Sequence, residues 1–111
     1  MSLPDTTNPE WKQMQTEETN HVESVLRKHF EQVDAYRYNS ASIRIRIIDS
    51  RFKRLTRGKR YDIVEPVLEE LDENTQADIM NIVLLYPGET SGSFLASMSN
   101  AEFENPLDSD F

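Results

Sequence analysis

Residues 42–64 read SIRIRIIDSRFKRLTRGKRYDIV, and this stretch decides the fold. Its first part alternates Ile43, Ile45 and Ile47 with Arg44 and Arg46. That period of two turns apolar side chains to one face of a β-strand and charges to the other. Its last part opens a different period, in which Ile63, Val64, Val67, Leu68 and Leu71 recur at three and four. A helix over 60–71 follows, with Glu65, Glu69 and Glu70 on its polar face. Pro66 lacks a backbone donor, so this helix either begins near Asp62, with Asp62 and Glu65 as a capping box, or starts earlier and kinks. Between strand and helix lies a basic turn, residues 50–60.

Working outward, Tyr36 and Tyr38 sit two apart in a second strand, 34–39, and the short Asn39-Ser40-Ala41 connection predicts a hairpin with 42–49. Upstream, Val22, Val25, Leu26, His29, Phe30 and Val33 mark one face of a helix that starts at Glu17, with Glu17 and Glu18 suited to its N-terminal end. Downstream, 72–78 holds one short helical turn, 80–86 is a strand, and Pro87-Gly88 ends it. The expected class is α+β in the order αββα(α)β. Its two main helices pack on one face of a small three-stranded sheet, because a sheet this small buries one face well. A right-handed crossover through 60–71 sets the last strand parallel to the second, so the sheet is mixed. The expected organisation is a flexible leader, 1–16, containing Pro4, Pro9 and a lone Trp11; a domain, 17–88; and an acidic, mobile tail, 89–111. In that tail Phe94, Leu95, Met98, Phe103, Leu107 and Phe111 are too sparse for a second domain.

Charge is distributed unevenly. Eight of the twelve Lys and Arg residues fall within 44–60, opposed there only by Asp49, a local balance of +7 in a chain of net charge −8. The remainder therefore carries −15. A compact cationic element on an acidic body selects partners by sign and shape. Chemistry has fewer footholds. The chain has no cysteine, which excludes disulfides and thiolate ligation, and no HExxH, P-loop or GxGxxG motif. His21 and His29 lie eight apart on a predicted helix, too far to converge on one ion, and read as an exposed and a partly buried helix histidine. Glu65, Glu69, Glu70, Asp72 and Glu73 read as solvated surface, and Ser91, Ser93 and Ser97 lack a base. No catalytic residue, metal ligand or cofactor is expected, and the chain is not expected to be an enzyme. The longest nearly apolar run, 79–86, is too short to cross a bilayer, and no secretory signal is visible, so a cytoplasmic protein is the default expectation.

The order of elements, with Arg51-Phe52 followed by Arg60-Tyr61-Asp62-Ile63-Val64, resembles the BolA-like family, whose fold is close to the type II KH domain. Val22, Glu23 and Leu26 in the first helix and 47–52 leaving the second strand extend the resemblance over about 18–86. The family motif reads Arg-His-Arg, and its histidine helps ligate an iron–sulfur cluster shared with a monothiol glutaredoxin. Here Tyr61 and Asp62 occupy the last two positions. Arg54 stands where the resemblance implies a glycine, and the hairpin loop offers no His or Cys. A soft cluster needs thiolate or imidazole donors, so the resemblance implies the domain and docking to a glutaredoxin-like protein, without the cluster.

The candidate binding residues are Arg51, Lys53, Arg54, Arg57, Lys59, Arg60 and Tyr61, with Arg37, Arg44 and Arg46 extending the patch over the sheet face. One reading makes this surface the site for an acidic protein partner, through charge-assisted hydrogen bonds. A second makes it a nucleic-acid site, with phosphates on the cations and bases stacked on Tyr36, Tyr38 or Tyr61, although the paired glycines of a KH clamp are missing. In a third, the arginines pair with the chain's own acids, such as Glu65, Glu69, Asp108 and Asp110, and Tyr36 and Tyr38 cover a core edge with hydroxyls reaching water. Oligomeric state is open.

Overall fold

The isoleucine and arginine alternation forms β2 (Ser42–Ile48), the central strand of a three-stranded sheet in the order β1-β2-β3. The computed structural model of the chain describes residues 9–106. β1 (Gln32–Asn39) runs antiparallel to β2 across a tight hairpin, in which Asn39 Oδ1 accepts from the Ala41 amide at 2.8 Å. β3 (Ile79–Leu85) runs parallel to β2, with Ile45 opposite Ile82 and Ile47 opposite Leu84. A parallel neighbour needs a long crossover, and α2 (Arg57–Leu68) and α3 (Glu73–Asp78) supply it. With α1 (Glu17–Leu26) ahead of β1, the chain is the α+β domain with a mixed sheet that its periodicities predict.

Helix ends differ from the periodic reading for local reasons. α1 starts at a capping box in which Thr16 and Thr19 satisfy each other's amides, and it stops at Leu26 instead of running to Val33. The amides of Lys28 and His29 bond three residues back, which tightens the chain into a turn, and Val33 already belongs to β1. His29 is consequently exposed and lies 3.3 Å from Glu70, not in the apolar stripe. α2 begins before Asp62: Thr56 Oγ1 accepts from the Lys59 amide at 3.3 Å, and Pro66 sits in the last turn of the helix. Leu71 lies past the helix end yet is buried.

Strand alternation divides the buried side chains into two layers. On one face, Val22, Val25 and Leu26 of α1 and Val64, Val67 and Leu68 of α2 pack with Val33, Ala35, Ile43, Ile45, Ile47 and Phe52. The opposite face is covered as well, which corrects the expectation of an open sheet. Trp11, on a 3-10 turn (Glu10–Met14), and Ala96 and Phe103 of a further helix, α4 (Phe94–Glu104), close over Tyr36, Val83 and Leu85. The Phe103 ring lies 5.2 Å from that of Trp11 and 5.1 Å from that of Tyr36. One large aromatic side chain buries about 150–250 Å², enough to dock a segment whose composition is otherwise that of a linker. The described parts of the leader and the tail are thus packed structure. The same expectations for 1–8 and 107–111, including Asp108 and Asp110, lie outside the described residues. Among the described residues no helix is long and apolar enough to cross a membrane.

Candidate functional site

The basic turn is built on Asp49. As β2 ends, the Asp49 amide bonds to the Leu85 carbonyl at 2.9 Å, and its carboxylate turns inward to 2% exposure. It accepts from the amides of Arg51 and Glu31 and from the Arg51 guanidinium, all within 3.1 Å. Burial opposes ionisation there, but these donors together outweigh it and hold the Asp49 carboxyl below the usual carboxylate range, while the Asp49 pairing raises Arg51. The short 3-10 turn that follows (Ser50–Phe52) plants Phe52 in the core, 6.1 Å from the Phe30 ring. Lys53 and Arg54 then project outward. Arg54 has φ = 71°, a left-handed conformation that costs an L-residue about 1–2 kcal/mol and that glycine adopts freely. The family resemblance implies a glycine at this place, and glycine would adopt this geometry without strain.

The structure separates the ten predicted site residues. Arg60 is only 8% exposed and works as a latch. Its Nε donates to the Leu55 carbonyl and its Nη1 to the Leu84 carbonyl, while Nη1 and Nη2 grip Glu89 at 2.7 and 3.0 Å. Glu89 reaches it because Gly88, at φ = 84°, completes a tight turn after Pro87 in which the Glu89 amide bonds back to the Tyr86 carbonyl. Arg44 and Arg46 are buried on the second face. Arg44 donates to the Tyr36 hydroxyl and the Glu102 carbonyl and lies over the Tyr38 ring, whereas Arg46 holds Asp34, Asn100 and Glu104. Arg37 is tied to Glu18 and to Asp78 at 2.7 Å. Arg51 is committed to Asp49.

These five arginines are therefore internal ties, and Arg60, Arg44 and Arg46 are too enclosed to reach a partner as expected. The sheet-face extension of the site fails because α4 covers the face of Arg44 and Arg46, while Arg37 lies on the other face, tied to Glu18 and Asp78. Tyr36 also departs from expectation. Its hydroxyl, instead of meeting water, donates to the Phe103 carbonyl at 2.6 Å, and burial first of all pushes its ionisation upward. The internal pairing read from the sequence does occur, but with Asp34, Asp49, Asp78, Glu18, Glu89 and Glu104 in place of Glu65 and Glu69.

Four cations of the basic turn remain available. Lys53, Arg54, Arg57 and Lys59 are exposed and carry no ion pair or side-chain hydrogen bond to any described residue. Tyr61 is half-exposed and faces elsewhere, into a cavity of about 290 Å³ shared with Glu65, Glu69 and Ile82. Arg57 lines a smaller one, of about 200 Å³, with Leu95, Ser93 and Ser99. α4 was not visible as a helix in the sequence. Ser93, whose Oγ accepts from the Ala96 amide, was the available signal. No family model, curated protein or solved structure matches this chain.

Proposed function

We propose that the chain is a non-enzymatic binding module, a divergent BolA-like domain without a bound cofactor, that recognises an acidic protein partner with the turn between β2 and α2. The observation that carries this reading is the sorting of the arginines. Six acids neutralise Arg37, Arg46, Arg51 and Arg60 inside the fold, while Lys53, Arg54, Arg57 and Lys59 of the basic turn are exposed and have no ion pair among the described residues. An acidic body has carboxylates to spare, and none among the described residues is spent on these four. The strained backbone at Arg54 supports the same reading, because a cation is kept where glycine fits better. Glutaredoxin-like proteins are the first partner class to test, docked without a shared cluster.

The probe that tests the reading is labelled polyglutamate, titrated into the full chain at low salt. The native chain binds it, and the quadruple variant with Lys53, Arg54, Arg57 and Lys59 all changed to Ala loses at least about tenfold in affinity. Equal binding by the two proteins, or no binding by the native one, overturns the proposal.

A further inference from the structure

α4 has two apolar sides. Ala96 and Phe103 face the sheet, while Phe94, Leu95 and Met98 stand on the outside at 78%, 76% and 54% exposure. Residues 94 and 98 are one turn apart and 95 lies beside them, so the three make a continuous patch. A cluster of large apolar side chains left in water on one helix face marks an interaction surface more often than a scattered exposed residue does.

This patch is not isolated. Leu95 and Arg57 line the same concave site of about 200 Å³, together with the hydroxyl residues Ser93 and Ser99. Arg60 and Glu89 also reach it, but they cancel each other's charge in a two-pronged pair at 2.7 and 3.0 Å. Among the described residues Arg57 has no ion pair there, and it opens the helix that follows Lys53 and Arg54 in the chain.

Resting on the reading that the basic turn docks an acidic partner, we infer that the docking surface continues across Arg57 onto α4 and that its occupant is an amphipathic acidic segment of a protein. The occupant sets carboxylates against Arg57 and the basic turn and an apolar side chain against Leu95, Phe94 and Met98. Charge complementarity selects this occupant over a purely apolar one, which leaves Arg57 facing a non-polar partner. A lipid surface fits less well. The site is concave, whereas a bilayer presents a flat surface.

The experiment compares three probes on the full chain. They are a labelled peptide with glutamates and leucines at helical spacing, polyglutamate of the same charge, and vesicles of phosphatidylserine and phosphatidylcholine. The amphipathic peptide is expected to bind about tenfold more tightly than polyglutamate. Changing Phe94 and Leu95 together to Ser removes that advantage and leaves polyglutamate binding unchanged, while Arg57→Ala weakens both peptides. A thermal melt matching the native chain confirms that the double variant is folded, and Met98→Ser provides a second variant with the same expected direction. Equal affinity for the two peptides overturns the inference and leaves the basic-turn reading standing. Capture by the vesicles with no peptide preference also overturns it, in favour of a membrane surface. Failure of polyglutamate to bind at low salt removes the basic-turn reading itself, and the inference with it.

Discussion

At the residue scale, two buried carboxylates respond to acid in opposite directions. The folded pKa of Asp49 is depressed by the donors around it, so its contribution to stability is present above its ordinary value of 3.8 and is lost as pH falls through the lower folded value. Asp49→Asn is expected to cost about 2 kcal/mol at neutral pH, since four charge-assisted bonds are weakened. The gap between variant and native chain should close in urea unfolding curves taken progressively below pH 3.8, and a gap that stays constant with pH sinks the assignment. Glu23 behaves inversely. Burial raises its pKa against the bonds from the Ala35 amide, at 2.8 Å, and from Gln15, so its contribution is present below the ordinary 4.5 and is lost as pH rises through the raised value. Arg54 carries a second residue-scale prediction. Arg54→Gly relieves the positive φ and should stabilise the fold by about 1 kcal/mol in urea while weakening polyglutamate binding. Loss of stability in that variant excludes the strain argument.

At the element scale, α4 is held by its C-terminal turn. No basic residue of its own lies there, and the Glu102 and Phe103 carbonyls are met instead by Arg44 and the Tyr36 hydroxyl from the sheet. Phe103→Ala should cost about 3–5 kcal/mol, and Trp11→Ala a similar amount. Because their rings touch, the double variant should cost less than the sum by about 1 kcal/mol, as read from chemical denaturation. Strict additivity places the two segments in separate contacts and refutes a shared layer. The elements that sequence reading found are those with sustained periodicity: Ile43, Ile45 and Ile47 state β2 plainly, and Val64, Val67 and Leu68 state α2. Those it missed owe their position to one or two distant partners. Trp11 and Phe103 each stand among polar neighbours, and Ala96 is too small to advertise a buried stripe. The site divides for the same reason. The cluster of charge was legible in the sequence, but which arginines are spent inside depends on Glu89, Asp34 and Glu104, brought near only by the fold.

At the scale of the whole molecule, the long acidic remainder and the small unpaired cluster limit what can bind. The four cations of the basic turn allow about four phosphate contacts there, so duplex DNA held by this turn alone should dissociate with salt at a logarithmic slope of about −4 or shallower. A steeper slope measured by anisotropy shows that cations outside the turn also engage. The covering of the second sheet face has a mechanical side. Trp11 and Phe103 come from opposite ends of the described chain, and their rings meet each other and that of Tyr36. Tension applied along the polypeptide therefore loads this aromatic clasp before the hydrogen-bonded strands beneath it. The domain yields first at its ends while the basic turn, pinned by Asp49 and by the bond from Arg60 to the Leu55 carbonyl, keeps its shape.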